Sequence, residues 1–105
     1  MQTQVRILHH DYPGRLRETV EGKLERLERF CGWIHVMRAN LERQNELHRV
    51  ELIANVGKGQ VLVADVRGGS FLAVLDEAVD RMARQLRKHH DRVTIDRHRP
   101  RRRAS

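Results

Sequence analysis

The chain has 105 residues, 39% of them hydrophobic and 33% charged, which is enough apolar material for one small core and too little length for a second domain. Lys plus Arg outnumber Asp plus Glu by 21 to 14, and the resulting net charge of +7 points to a polyanionic partner, either nucleic acid or an anionic membrane surface. No segment approaches the roughly 20 apolar residues of a bilayer span, the first residues lack a secretory pattern, and the single Cys31 excludes a disulfide framework or Cys-based zinc finger, so a reducing cytoplasm is the expected compartment.

Gln2 to Leu8, with Val5 and Ile7, reads as a first strand. Asp11-Tyr12-Pro13-Gly14 is turn chemistry, with Pro pre-set for a turn or helix start. A helix is predicted from Gly14 to Phe30, because Leu16, Val20, Leu24 and Leu27 recur at helical spacing. Gly22 weakens it, and Cys31-Gly32 ends it. Ile34 to Arg43 alternates, with Met37, Ala39 and Leu41 on one face. Gln44-Asn45-Glu46 reads as a turn. His48 to Val56 alternates more cleanly, with Val50, Leu52, Ala54 and Val56 together. Gly57-Lys58-Gly59 is a hairpin connection to a Val-rich strand, Gln60 to Arg67. After Gly68-Gly69, Ser70 is a candidate N-cap. Phe71, Val74, Leu75, Ala78, Val79, Met82 and Leu86 form the apolar stripe of a second helix reaching about Lys88. The order β-α-β-β-β-α predicts a two-layer α+β sandwich, a four-stranded sheet covered on one face by two helices. The expected organisation is a folded domain over residues 1–92 and a disordered basic tail over 93–105, ending in Arg99-Pro100-Arg101-Arg102-Arg103.

The charge is unevenly placed and comes mostly from Arg, since Lys occurs only at 23, 58 and 88. Arg forks suit phosphate oxygens. At 100° per residue, Arg81, Arg84 and Lys88 fall on one stripe of the second helix, opposite the apolar seam, and Arg92 and Arg97 continue the run. Arg87 lies on the other flank beside Asp76 and Asp80. On the first helix Arg15, Lys23 and Arg26 share one flank, and Glu18, Glu21, Glu25 and Glu28 share the other. Such faces are commonly just solvated, and the first helix reads that way on its own. The single-sign stripe of the second helix is costly to hold unless it attracts something. Tyr12, Phe30, Trp33 and Phe71 are the whole aromatic set, and no pair sits on a sheet face as a stacking platform. RNA recognition by this chain is therefore expected to use shape and phosphates.

Catalytic and metal chemistry finds no positive support. The pairs His9-His10 and His89-His90 diverge on either a strand or a helix, so neither chelates naturally. Cys31 at a helix end in an apolar stretch reads as a small hydrophobe. Gly57-Lys58-Gly59 is too short for a phosphate loop. No enzyme activity, cofactor, metal or small-molecule substrate is expected.

The segment Leu75-Asp76-Glu77-Ala78-Val79-Asp80-Arg81-Met82-Ala83-Arg84-Gln85-Leu86-Arg87-Lys88-His89 resembles the signature of the ribosome hibernation-promoting factor family. That family includes the ribosome-associated inhibitor A proteins and has also been labelled sigma-54 modulation protein. Lys23-Leu24-Glu25-Arg26-Leu27-Glu28-Arg29-Phe30 and His48 to Val56 with its following hairpin match as well, so the resemblance spans about residues 2–92. It implies a short-form, double-stranded-RNA-binding-domain-like β-α-β-β-β-α fold. It also implies a cytoplasmic translation inhibitor that binds the small ribosomal subunit and the intact ribosome in stress or stationary phase. Such a protein sits in the channel between head and body, where messenger RNA and the A- and P-site transfer RNAs pass. Carried over by position, the ribosomal RNA (rRNA) contacts are Lys23, Arg26, Arg81, Arg84, Arg87, Lys88 and Arg92, with a hydrogen bond from Gln85. Ser70-Phe71-Leu72 replaces the family's acidic residue followed by Met-Tyr. The chain is too short to include the C-terminal dimerisation domain of long members, and a monomer is expected. Two other readings use the same residues: a non-selective duplex RNA or nucleic-acid-binding module, and a transcription-factor modulator acting by protein contact. Selectivity and salt dependence separate the first of these from a ribosome binder.

Overall fold

The structure, a computed structural model, describes residues 1–8, 12–29 and 32–98, with side chains to residue 92. His9, His10, Asp11, Phe30, Cys31 and the terminal Arg run lie outside the described residues, as do the readings placed on them. The elements are β1 (Gln2–Leu8), α1 (Gly14–Glu28), β2 (Val36–Gln44), β3 (Leu47–Gly57), β4 (Gln60–Gly68) and α2 (Phe71–His98). Every predicted element is present in the predicted order.

The sheet runs β1-β2-β3-β4, with β1 parallel to β2 and the other pairs antiparallel. The parallel pair needs a crossover, which α1 supplies. Alternation decides the buried face: Met37, Ala39 and Leu41 from β2, Val50, Leu52 and Ala54 from β3, and Ala64 and Val66 from β4 all lie beneath the helices. Val20, Leu24 and Leu27 of α1, and Val74, Leu75, Ala78, Met82 and Leu86 of α2, close the core from above. Burying one such side chain contributes about 1.5–3 kcal/mol.

Two close approaches fix how α2 lies on β4. A Cβ on Gly68 would stand 2.8 Å from Val74 Cγ2, so only glycine lets the first turn of α2 settle there. Further along, Gln85 Nε2 donates to the Val63 carbonyl at 2.7 Å. From Val74 to Gln85 the helix climbs about 17 Å, and from Gly68 back to Val63 the strand covers about 17 Å. The two elements therefore run antiparallel in step, which brings Arg92 level with Gln60, where the strand begins.

The end of α2 differs from the sequence reading. The apolar stripe stops at Leu86, but the helix continues to His98 and takes in residues 93–98, assigned above to a disordered tail. No Gly or Pro occurs between Gly69 and Pro100, so nothing in the covalent chain stops it. A stripe records where a helix is covered, and α2 outruns its cover. The first part of the extension is held from the side, where Trp33 stacks on His90 (4.8 Å, 12°) and meets His89 edge-on (5.8 Å, 76°).

Candidate nucleic-acid interface

The contacts of α2 sort its charges into two flanks. Gln85 reaches the outward carbonyl of edge strand β4, so its flank faces that edge. Arg81, Lys88 and Arg92 lie four back, three on and seven on from Gln85 and share this flank with Arg84. The row is thus beside the sheet edge, a quarter-turn or so from the position opposite the seam that the wheel indicates. Asp76 marks the other flank, because Lys23 Nζ of α1 contacts its Oδ1 at 2.8 Å. Arg26 and Arg87 are exposed on this helix–helix side. The eight sequence-derived residues therefore form two groups. Arg81, Arg84, Gln85, Lys88 and Arg92 line the β4 edge, while Lys23, Arg26 and Arg87 flank the groove between the helices.

Neutralisation within the row is uneven. Arg81 Nη2 contacts Glu77 Oε1 at 3.0 Å, and Arg84 Nη2 contacts Asp80 Oδ2 at 2.9 Å, both one helical turn away. Among the described residues Lys88 and Arg92 have no carboxylate within ion-pair distance. Among the described residues, the uncompensated positive charge on this flank therefore sits about two to three turns beyond Arg81, at the end of the row. Surface ion pairs of the Arg81 type are weak, so a phosphate displaces them at little cost.

Beneath Lys88 and Arg92 the helix and the edge strand enclose a cleft of about 340 Å³ lined by Gln60, Val61, Leu62, Gln85, Lys88, His89 and Arg92. It runs into a second concavity bounded by Arg81, Arg84, Gln85 and Lys88. Gln60 was not singled out from sequence, and His89 was weighed there only as half of a metal pair, not as an RNA contact. They lie 29 positions apart, and only the in-step packing of α2 on β4 brings them together. The one available signal was the helical phase of His89, four residues after Gln85.

The uncovered face of the sheet is different in kind. Arg49 Nε and Nη2 grip both oxygens of Asp65 at 3.0 and 2.7 Å, and its guanidinium also reaches Glu42 and Glu51 at 3.5 Å. The hydrogen bonds from Arg49 hold the Asp65 carboxyl below its ordinary range, and the Asp65 carboxylate in turn raises Arg49. This arginine is occupied by its own sheet. At the same end of the sheet, but on its helix-covered face, Tyr12 Oη lies 2.9 Å from His48 Nδ1 and its ring packs on Phe71 at 5.0 Å. Burial pushes its phenol up. No group of three or more His, Cys, Asp or Glu among the described residues could hold a metal, and none of the described helices is long and apolar enough to cross a membrane.

Residues 3–94 match the family described as Sigma 54 modulation protein / S30EA ribosomal protein. The chain belongs to that family. The match takes in all six elements and both flanks of α2 to within a few residues of its end. Among S30EA-family relatives, the ribosome hibernation promoting factor of Escherichia coli K12 is 31% identical over 78 residues, which is 74% of this chain and 81% of that protein. The ribosome hibernation promotion factor of Mycobacterium tuberculosis is 33% identical over 91 residues, 81% of this chain but only 41% of the relative. Two solved structures share the fold. The Thermus thermophilus Protein Y N-terminal domain superposes with a TM-score of 0.75 at 22% identity, covering 85% of this chain and 99% of that one. A ribosomal subunit interface protein from Coxiella burnetii gives 0.78 at 20% identity, covering 87% and 99%.

Proposed function

We propose that this chain is a ribosome hibernation factor that binds the small ribosomal subunit and holds idle ribosomes inactive under stress or in stationary phase. The observation that carries the reading is the row of Arg81, Arg84, Lys88 and Arg92 along the β4 edge, within the span that matches the S30EA family. The relatives' names supply the partner, and the row supplies a means of holding it. Four cations spaced along about 17 Å of helix suit the phosphates of a folded RNA, which are read by position and not by base sequence.

The protein acts as a wedge in the channel between head and body, in the space needed by messenger RNA and by transfer RNA in the A and P sites. No bond is made or broken, and no cofactor or small-molecule substrate is required. Lys88 and Arg92 make the leading rRNA contacts because no carboxylate among the described residues pairs with them. Arg81 and Arg84 exchange Glu77 and Asp80 for phosphate on docking. Lys23, Arg26 and Arg87 meet RNA from the groove between the helices. Gln85 acts mainly by pinning α2 to β4, since its amide nitrogen already donates to Val63. The chain acts in the cytoplasm as a monomer.

The test is the triple reversal Arg81→Glu, Arg84→Glu, Lys88→Glu. All three side chains are exposed, so the fold should persist by circular dichroism while co-sedimentation with ribosomes is lost. A folded triple variant that still pellets with ribosomes contradicts the assignment of this flank.

A further inference from the structure

The cleft at the end of the basic row has features that a phosphate-binding strip does not need. Its floor is aliphatic: Leu62 is half-buried on the helix-covered face, and Val61, 51% exposed, turns towards the open face and adds its edge. Its rim carries two side-chain amides, Gln60 and Gln85, and an imidazole, His89. Two cations with no ion pair among the described residues, Lys88 and Arg92, stand one turn apart above it. A duplex presents phosphates, 2′-hydroxyls and minor-groove base edges to such a surface but keeps its base faces stacked, so the aliphatic floor goes unused. An unpaired nucleotide uses the floor as well. At about 340 Å³ the cleft is at the small end of ligand-sized sites, with room for one nucleotide.

The parts are also held in place. Gln85 is tied to Val63 through its nitrogen, which fixes its amide plane at the cleft's edge. His89 is braced from behind by the edge contact with Trp33. Arg92 stands level with Gln60, so a phosphate held by the cation leaves the base within the strand's reach.

We infer that this cleft is a single-nucleotide subsite, in which one unpaired nucleotide of the bound RNA places its phosphate on Lys88 and Arg92. Its base lies on Leu62 against the edge of Val61, with Gln60 and His89 bonding to the base edge or the 2′-hydroxyl. The inference rests on the ribosome-binding reading and adds to it contacts from Gln60, Val61, Leu62 and His89 and a local preference for single-stranded RNA. Aliphatic side chains here take the part that aromatic platforms play elsewhere.

The test uses the full chain, isotopically labelled, titrated with a single-stranded RNA hexamer and separately with a blunt RNA duplex. The hexamer should shift the amides of residues 60–62 and 85–92, and it should change the emission of Trp33, the one tryptophan. Gln60→Ala, at an exposed position, and His89→Gln, which keeps a planar hydrogen-bonding group, test the rim from opposite sides. Gln60→Ala should weaken hexamer binding about fivefold, the loss of one hydrogen bond, and leave duplex binding within twofold. His89→Gln should bind the hexamer more tightly than His89→Ala. Hexamer binding that bypasses residues 60–62, or that is equal in Gln60→Ala and wild type, overturns the subsite. Ribosome sedimentation of the unmodified chain separates the two claims. If it co-sediments while the cleft is silent, the subsite alone fails, and if it does not co-sediment, the wider reading fails too.

Discussion

Arg49 and Lys88 carry the same formal charge in opposite surroundings. Arg49 has three carboxylates around it on the open sheet face, while Lys88 has none within ion-pair distance among the described residues. The first is therefore occupied within the fold, and the second is the kind of charge that the RNA contact proposed above would use. Asp65 titrates at its ordinary value in the unfolded chain and lower in the folded one. The folded state binds fewer protons in that interval, so the stabilisation is fully present above the unfolded value and is lost as pH falls through the folded one. Arg49→Ala should consequently lower the thermal midpoint most at about pH 7, with the gap to wild type closing as pH falls through the folded-state titration of Asp65. A constant gap across that range would contradict the pairing. Both side chains are about one-third exposed, so solvent screening keeps the effect modest. A second residue-scale prediction concerns Gly68. Adding one methyl in Gly68→Ala forces Val74 and the first turn of α2 outward and should cost about 1–3 kcal/mol in urea denaturation. An unchanged midpoint would mean that the close packing at the start of α2 is not needed.

The elements were legible wherever burial writes a period into the chain. The alternation of β2 and β3 and the i+3/i+4 stripe of α1 follow directly from which face meets the core. The far half of α2 was not legible by that rule, because the apolar stripe read from the sequence ends at Leu86. Its length follows from the absence of a breaker, a weaker signal than a repeated face. The candidate interface was read in the same partial way. Helical phase collected Arg81, Arg84 and Lys88 correctly, but it could not say that their flank borders β4, because that depends on the Gln85–Val63 and Gly68–Val74 contacts between distant segments. Gln60 escaped notice for the same reason. The extension also makes an element-scale prediction. Trp33 braces α2 through His89 and His90 near the point where the sheet ends. Trp33→Ala should speed amide exchange over residues 88–98 by about 2- to 10-fold, the equivalent of one aromatic contact, with the core of the sheet unaffected. Unchanged exchange there would show that the extension stands without Trp33.

At the scale of the molecule, charge is distributed with a direction. The Glu-rich flank of α1 lies on the β1 side, where Arg17 of the same helix bonds to the Val5 carbonyl, and the Arg-rich flank of α2 lies along β4. The two edges of one small sheet thus carry opposite characters. A body of this kind orients in the field of a polyanion before it touches it. The uneven ion pairing within the row turns this into a graded prediction. Replacing Lys88 and Arg92 together by Ala should reduce the slope of log affinity against log salt by about 1.5–2, as two lost phosphate contacts require. The same change at Arg81 and Arg84, whose charges are already partly compensated, should reduce both affinity and slope less. The reverse ranking would place the anchor at the start of the row.

The central claim is that this protein's partner is the ribosome and not RNA in general. Sucrose-gradient sedimentation of purified bacterial ribosomes with the protein, at two salt concentrations and against an equal mass of duplex RNA, addresses it most directly. The account predicts co-migration with the small subunit and the intact ribosome at close to one copy each, persisting at the higher salt. Protein that stays at the top of the gradient while still shifting the duplex would contradict it and identify a non-selective nucleic-acid binder.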